Sequence, residues 1–140
     1  MKIKVLVILM FILTSLLCDC SNMVNGKDIA DKQIPGFHQL FNERRFQDIV
    51  TSSDPDMIKA SPEATIIELF EAIHRKLGTV TESTNMSWNV NTFNLETRVV
   101  LVQNTSFERG SGTETFTYRI TDGKARLLGY FINSNDLIIQ

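Results

Sequence analysis

Cysteine is scarce in this 140-residue chain. The two cysteines, Cys18 and Cys20, both lie where an apolar run meets polar residues, in LLCDCSN. The 120 residues after Cys20 contain no thiol, which excludes a disulfide framework, a cysteine metal site and thiol catalysis there. Two histidines follow, His38 and His74, and their wide separation matches no metal-ligand motif. The sequence therefore predicts no metal and no cofactor.

Positive charge is also sparse. Without residues 1–20, the chain holds 12 Lys and Arg against 15 Asp and Glu, a formal charge of -3. No basic stripe is present, although a protein that binds nucleic acid needs one to neutralise phosphates. The composition therefore argues against a nucleic acid partner. The 120 residues are enough for one domain with a single core.

The N-terminal apolar run is too short to span a membrane. MKIK supplies two lysines, and Val5–Leu17 contains only Thr14 and Ser15 as polar residues. A membrane-spanning helix needs roughly 20 apolar residues. The pattern is typical of a secretory signal peptide, which we assign to residues 1–20. We therefore expect an exported protein.

The two cysteines allow two processing routes. Cleavage by signal peptidase I, with both cysteines as the small residues before the cut, would release a chain that begins at Ser21. The lipoprotein route would acylate a cysteine, but Leu17 before Cys18 is bulky and Asp19 before Cys20 is charged. A cysteine that ends such an apolar run is nevertheless most often the acylated one. We favour Cys20 as a lipid anchor, with Cys18 as the second candidate and membrane contact through this anchor alone.

Helical patterns follow a polar segment. Residues 21–35 end at Pro35 and predict a linker with at most one turn of helix before a single domain over residues 36–140. GFHQLFN and RFQDIVTS each have a one-sided apolar stripe, but the two stripes are about half a turn out of phase. We therefore expect two short helices with a break at Asn42–Arg44.

The strongest helix prediction lies between Ser61 and Gly78. Ser61 is a suitable N-cap, Pro62 suits the first turn, and Gly78 suits the C-terminal end. The apolar residues between them recur at helical spacing: Ile66, Phe70, Ile73 and Leu77. We expect this stripe to face the core.

From Met86 onward the hydrophobic period changes to two. Strands are expected over Met86–Asn91, Thr97–Glu108, TETFTYRIT and KARLLGYFI, with turns at Arg109–Gly112 and Asp122–Gly123. Helices followed by such a meander predict an α+β fold, in which N-terminal helices pack in a curved antiparallel sheet of about four strands.

The side chains of this sheet give further expectations. Trp88 should pack against the long helix, and Gly129 should mark a bulge or bend. Phe116 and Tyr118 share one face, and we expect every inward position from Met86 to Phe131 to be apolar, aromatic or small. Four charged residues are assigned to a solvated face of the hairpin: Glu108, Arg109, Glu114 and Arg119.

Three segments resemble a known class of protein. They are FHQLFNERRFQDIV, HRKLG and FERGSGTETFTYRITDGKARLLGYFINSNDLI. They are similar to small exported bacterial proteins of unknown function with a nuclear-transport-factor-2-like, or cystatin-like, domain. The resemblance covers roughly Phe37 to Ile138. It implies helices wrapped by a curved sheet, a location in the bacterial cell envelope (periplasm) and, in many relatives, a lipid anchor.

The resemblance leaves two classes of function open. Enzymes of this class, such as ketosteroid isomerases and small dehydratases, use an Asp, His or Tyr inside the cone between helix and sheet. The groups available here are His38, Asp48, His74, Tyr118 and Tyr130. No catalytic motif transfers to them, so we assign no catalytic residue.

We therefore expect a non-catalytic module that binds an envelope protein or a small ligand, with an immunity-type inhibitor as a special case. The candidate pocket residues are His74, Trp88 and Tyr118. The alternative is a small isomerase, dehydratase or hydrolase.

Overall fold

Helices occupy the first half of the described chain and strands the second. The computed structural model describes the backbone of residues 18–138 and the side chains of residues 25–138. The helices are α1 (Cys18–Asp31), α2 (Ile34–Asn42), α3 (Phe46–Ser52), α4 (Pro55–Ala60) and α5 (Glu63–Leu77). The strands are β1 (Val80–Phe93), β2 (Glu96–Phe107), β3 (Gly110–Thr121) and β4 (Lys124–Asn133), followed by a short 3-10 helix (Asn135–Leu137). The predicted α+β class is confirmed.

The strands form one antiparallel meander in the order β1-β2-β3-β4. Leu101 on β2 pairs with Trp88 on β1 and with Phe116 on β3, and Phe116 pairs with Tyr130 on β4. Because directly paired residues project to the same side, these four side chains share one face of the sheet. We call it the inner face, since it is the face that meets the helices. The expected four-stranded antiparallel sheet is confirmed.

The β3–β4 turn and the β4 bulge follow the sequence prediction. Asp122 and Gly123 both have positive φ, 51° and 69°, as a two-residue hairpin turn with the favoured twist requires. Thr117 pairs with Gly129 whereas Tyr118 pairs with Leu127, so β4 contains one extra residue beside Gly129. The bulge expected at this glycine is confirmed.

The β2–β3 turn differs from the prediction. It occupies Glu108 and Arg109, and Gly110 already pairs with Phe107 as the first residue of β3. The expected turn over Arg109–Gly112 is therefore wrong by about two residues. The glycines of GSG, residues 110–112, would tolerate a turn conformation, but Gly112 pairs with Thr105 between β2 and β3.

The helix stripes agree closely with expectation. α2 ends at Asn42, and Arg44 adopts a left-handed φ of 59°, which confirms the predicted break. α5 buries the predicted stripe of Ile66, Phe70, Ile73 and Leu77. It begins at Glu63 rather than after Ser61, because Ser61 ends α4 instead.

Helix α4 was not predicted. Its N-cap is Asp54, whose side chain accepts a hydrogen bond from the Asp56 amide, and Pro55 follows at the first helical position. Asp-Pro is a recognised helix start, since Asp suits the N-cap and Pro suits the first helical position.

The prediction of a linker with at most one turn of helix over residues 21–35 is wrong. Helix α1 covers most of this segment and lies against all four strands. A methyl group placed on Gly26 would lie 3.7 Å from Thr97 Cγ2 and 3.7 Å from Val99 Cγ2, and Ala30 is fully buried. The helix packs through these two small residues, four positions apart, so it lacks the large apolar stripe by which a packed helix is usually recognised.

Aromatic side chains join the helices to the sheet. The ring centroid of Phe37 on α2 lies 4.9 Å from that of Phe116 and 5.6 Å from that of Phe70. Phe70 in turn lies 5.3 Å from Tyr130, so α5 reaches the inner face through this contact. Edge-to-face and offset contacts at such distances are favourable.

The predicted signal peptide lies mostly outside the described residues, as do the side chains of Cys18 and Cys20. Within residues 18–138, no helix is long and apolar enough to cross a membrane.

Candidate functional site

A buried carboxylate, Glu114, lies on the inner face of the sheet. It is only 1% exposed. Its Oε2 lies 2.8 Å from His38 Nε2 and accepts a hydrogen bond of 2.6 Å from Thr105 Oγ1. Its Oε1 accepts a hydrogen bond of 2.7 Å from the Tyr130 hydroxyl. One carboxylate thus connects α2, β2, β3 and β4.

The interior is more polar than the sequence analysis predicted. Glu114, Gln103 and Thr105 are all buried, so the expectation that inward strand positions are apolar, aromatic or small is wrong. Glu114 was assigned to a solvated face, yet it lies two residues before Phe116 and therefore projects to the same side. Applied to every residue of β3, the alternation of side chains predicts that Glu114 faces inward.

Three side chains hydrogen-bond to the Glu114 carboxylate: those of His38, Thr105 and Tyr130. A buried carboxylate without partners would be strongly unfavourable, and hydrogen bonds to a charged group are among the stronger ones. Burial raises the pKa of Tyr130 well above its usual range, and the negative charge of Glu114 and their hydrogen bond raise it further. Tyr130 therefore remains a neutral hydrogen-bond donor.

A groove lies between the helices and the last two strands. It has a volume of about 370 Å³, with Gly36 and Phe37 of α2, Ile49 of α3, and Tyr118 and Leu127 of the sheet in its walls. Tyr118 stacks on Phe116, with ring centroids 6.3 Å apart. Burial, aided by the charge of Glu114, raises the pKa of Tyr118 far above its usual range. It too presents a neutral phenol.

Polar side chains surround this groove. Gln39, Arg45 and Ser52 contribute to its lining. Arg45 donates a hydrogen bond of 2.6 Å to Asp48, which is exposed. The combination of an apolar floor with a few polar groups at the mouth is common in sites for small ligands or for single side chains of a partner.

The three predicted pocket residues lie apart. Tyr118 lines the groove, but His74 and Trp88 do not. Trp88 projects to the inner face beside Leu101, yet it is 46% exposed and lies on the edge strand β1. Its expected packing against the long helix is therefore wrong: α5 contacts the inner face through Phe70 and Tyr130, and Tyr130 lies on β4, the edge strand opposite β1.

His74 lies near the C-terminal end of α5. Its ring centroid is 5.4 Å from Phe41 and 6.0 Å from Phe46, and its Nε2 is buried without a hydrogen-bond partner among the described residues. Burial lowers the pKa of His74, and the charges of Arg44 and Arg109 lower it further. The site is that of a neutral histidine at the edge of the core.

Arg119 is not a solvated residue either. It donates hydrogen bonds of 2.7 Å to Asp54 Oδ1 and 2.9 Å to Asp56 Oδ2, and so connects β3 to the start of α4. Asp54 is only 3% exposed. The solvated-face prediction is therefore wrong for Arg119 as well.

Glu108 and Arg109 are exposed, as predicted, but they also cap the end of α5. Arg109 donates hydrogen bonds to the carbonyls of His74, Arg75 and Lys76. Glu108 Oε2 accepts a hydrogen bond of 2.9 Å from the Thr79 amide. These bonds pair main-chain groups that a helix end leaves free.

No family model matches the chain, and no curated protein matches it. Among the described residues, no group of three or more His, Cys, Asp or Glu side chains could hold a metal ion.

Proposed function

We propose that this chain is a non-catalytic binding module of the bacterial cell envelope, and that the groove beside Tyr118 is its binding site. The observation that carries the proposal is the separation of the groove from the buried ionisable groups. Neither His38 nor Glu114 lines the groove. A general base must lie within hydrogen-bond reach of the proton that it removes, directly or through one water.

The groove suits a ligand with an apolar part and a polar end. Phe37, Ile49 and Leu127 supply apolar contact, and the neutral Tyr118 can donate or accept a hydrogen bond. Its volume of about 370 Å³ lies at the lower end of the range for ligand pockets. A small organic molecule, or one large side chain of an envelope protein, would fill it. An immunity-type inhibitor is the special case in which that protein is a toxin.

The fold family and the location belong to the same proposal. Helices against the inner face of a bulged antiparallel sheet support a nuclear-transport-factor-2-like, or cystatin-like, assignment. The lysines of MKIK, the apolar run Val5–Leu17 and the cysteines behind it support export, with Cys20 as a lipid anchor and Cys18 as the second candidate.

A second candidate function has one specific observation in its favour. His38 and Glu114 form a buried pair inside the fold, with the Tyr130 hydroxyl on the other carboxylate oxygen. Buried ionisable groups of this kind are the usual components of acid–base catalysis. They would support a small isomerase, dehydratase or hydrolase if substrate could reach them.

Blocking the groove tests the binding proposal. Nothing lies within 4 Å of a methyl group placed on Gly36, so Gly36→Trp should fill the groove without a clash at Cβ. We expect wild-type chain to retain a ligand or partner from envelope extracts and Gly36→Trp to lose it. Glu68→Trp, at an exposed position of α5, is the matched control. Equal retention by Gly36→Trp and wild type would contradict the proposal.

A further inference from the structure

Exposed apolar side chains are concentrated at one edge of the sheet. Of the seven large hydrophobic residues that are exposed in the described part of the chain, four lie on β1 or in its turn to β2: Met86, Trp88, Phe93 and Leu95. We call these four residues the apolar edge. The whole stretch from Ser83 to Leu95 contains no charged residue. Natural edge strands usually carry charges that discourage contact with other surfaces.

The turn at the end of this edge is conformationally unfavourable for its sequence. Asn94 and Leu95 have φ values of 48° and 65°, in the left-handed region. Asparagine tolerates this region, but leucine does so at an energetic cost. The Leu95 side chain is also fully exposed, so no contact within the described fold compensates for that cost. A strained and exposed apolar residue points to a contact outside the domain.

The direction of α1 places the N-terminus near this edge. Gly26 lies over β2 and β3, beside Thr97 and Ile120. The residues just after α1 lie at the β4 side, because Gln33 lines the groove together with Ala125. Since α1 lies against all four strands, its N-terminal part must lie over β1.

The membrane-anchoring end of the chain therefore starts at the side of the sheet that carries the apolar edge. Cys20 precedes Gly26 by six residues, about 9 Å along a helix. Leu95 precedes Thr97 by two residues, about 7 Å along a strand. Val5–Leu17, the apolar run, ends directly before α1.

We propose that the apolar edge, led by Phe93 and Leu95 at the hairpin turn, contacts the lipid bilayer in which the N-terminus is anchored. This inference rests on the membrane anchor of the proposed function. The stretch from Ser83 to Leu95 carries no charge, and the adjacent Glu96 is paired with Arg98 and Arg119. Tryptophan, here Trp88, favours the boundary between water and lipid. A lipid anchor that holds the chain at one point would leave the domain free to rotate. Apolar side chains in contact with the bilayer would add to this attachment.

This contact would also orient the binding groove. The groove lies beside Ala125 and Leu127 on β4, the strand at the opposite edge of the sheet from β1. With β1 at the membrane, the groove faces away from the lipid. A partner in the periplasm could then reach it.

A single tryptophan at the turn tests the contact. Trp88 is the only tryptophan of the chain, so Trp88→Phe with Leu95→Trp moves the fluorophore to the turn. Trp88→Phe with Leu69→Trp is the matched control, since Leu69 is an exposed leucine on α5. Each full-length chain is reconstituted into vesicles of phosphatidylethanolamine and phosphatidylglycerol, some with brominated acyl chains. Flotation reports membrane attachment, and quenching reports contact of the tryptophan with lipid.

We expect both chains to float with the vesicles, but only the tryptophan at position 95 to shift to shorter wavelength and to be quenched by brominated lipid. A chain that floats with an unquenched tryptophan at position 95 would overturn the lipid contact and leave the anchor intact. A chain that does not float would overturn both. A blue shift without quenching, together with cross-linked dimers, would show that a second copy covers the edge instead.

Leu95→Gly provides a check that does not depend on a bulky probe. Glycine adopts positive φ without penalty, so this change should maintain or raise thermal stability. In the same variant, native Trp88 should lose part of its quenching by brominated lipid. Unchanged quenching of Trp88 in a stable Leu95→Gly chain would contradict the proposal.

Discussion

The Tyr130 hydroxyl donates a 2.7 Å hydrogen bond to Glu114, across from the 2.8 Å contact that the same carboxylate makes with His38. Strands β3 and β4 and helix α2 thus converge on one buried charge. We expect Glu114→Ala to cost at least about 2 kcal/mol of unfolding free energy, because it leaves the hydrogen-bonding groups of Thr105, Tyr130 and His38 without their partner. Urea denaturation measures it.

Glu68→Ala is the control for this change. Glu68 is exposed on α5, and its removal should alter stability by less than about 0.5 kcal/mol. If Glu114→Ala were equally mild, the carboxylate would not be the connection between helix and sheet described above.

Phe70 is the centre of the helix–sheet contact. It is fully buried on α5 and touches both Phe37 and Tyr130. Phe70→Ala should cost about 3–5 kcal/mol, since it removes a large side chain and leaves a cavity. Its neighbour Leu69 is 44% exposed, and Leu69→Ala should cost less than about 1 kcal/mol. Similar losses for the two variants would mean that the helix is oriented differently.

Arg119 holds the start of α4 to the sheet. Replacing it with Met would leave the carboxylate of Asp54 buried without its arginine partner. We expect a loss of about 1.5–3 kcal/mol, the range for hydrogen bonds to charged groups. Arg98→Met is the control, because Arg98 is exposed on β2. Chemical denaturation should give Arg119→Met a much lower free energy of unfolding than Arg98→Met. The reverse order would contradict the role of Arg119 in holding the start of α4 to the sheet.

His74 should make stability depend on pH. Burial, Arg44 and Arg109 lower its pKa in the folded state, whereas the unfolded histidine titrates near 6.5. The unfolded state therefore binds more protons in the range below about pH 6.5, and stability falls as the pH falls through it. Glu108, the nearby acidic group, opposes the shift only weakly. Thermal melts of wild type and His74→Gln should diverge as the pH is lowered, with the wild type losing more stability; parallel curves would contradict the assignment.

Much of the fold could be predicted because the relevant signals are local. The stripe of Ile66, Phe70, Ile73 and Leu77 defines α5 through spacing alone, and Asp122-Gly123 defines a hairpin through its tolerance of positive φ. The out-of-phase stripes around Asn42–Arg44 indicated a break in the same way. Helix α1 escaped prediction because it packs through Gly26 and Ala30, which leave no large apolar pattern.

The site could be predicted only in part, because it depends on tertiary contacts. Tyr118 was found through its place in the β3 alternation, and the same alternation applied to Glu114 would have shown a buried carboxylate. Its partners His38 and Thr105 lie 76 and nine positions away along the chain, so their convergence could not be read from local spacing. Trp88 faces inward as the pattern predicts, but the pattern does not show that β1 is an edge strand on which Trp88 stays 46% exposed.

The most direct test of the central claim compares a variant that blocks the groove with a variant that changes the buried His38–Glu114 pair. Gln can donate a hydrogen bond to Glu114 in place of His38 Nε2, so His38→Gln maintains the structural contact and removes a histidine acid or base. Gly36→Trp does the reverse, since it fills the groove and leaves the pair intact. Both variants are expressed in a strain that lacks the gene, and export and folding are confirmed by fractionation and thermal melts. A binding module predicts that His38→Gln restores the envelope phenotype and Gly36→Trp does not; restoration by Gly36→Trp with failure of His38→Gln would contradict it and support the enzyme.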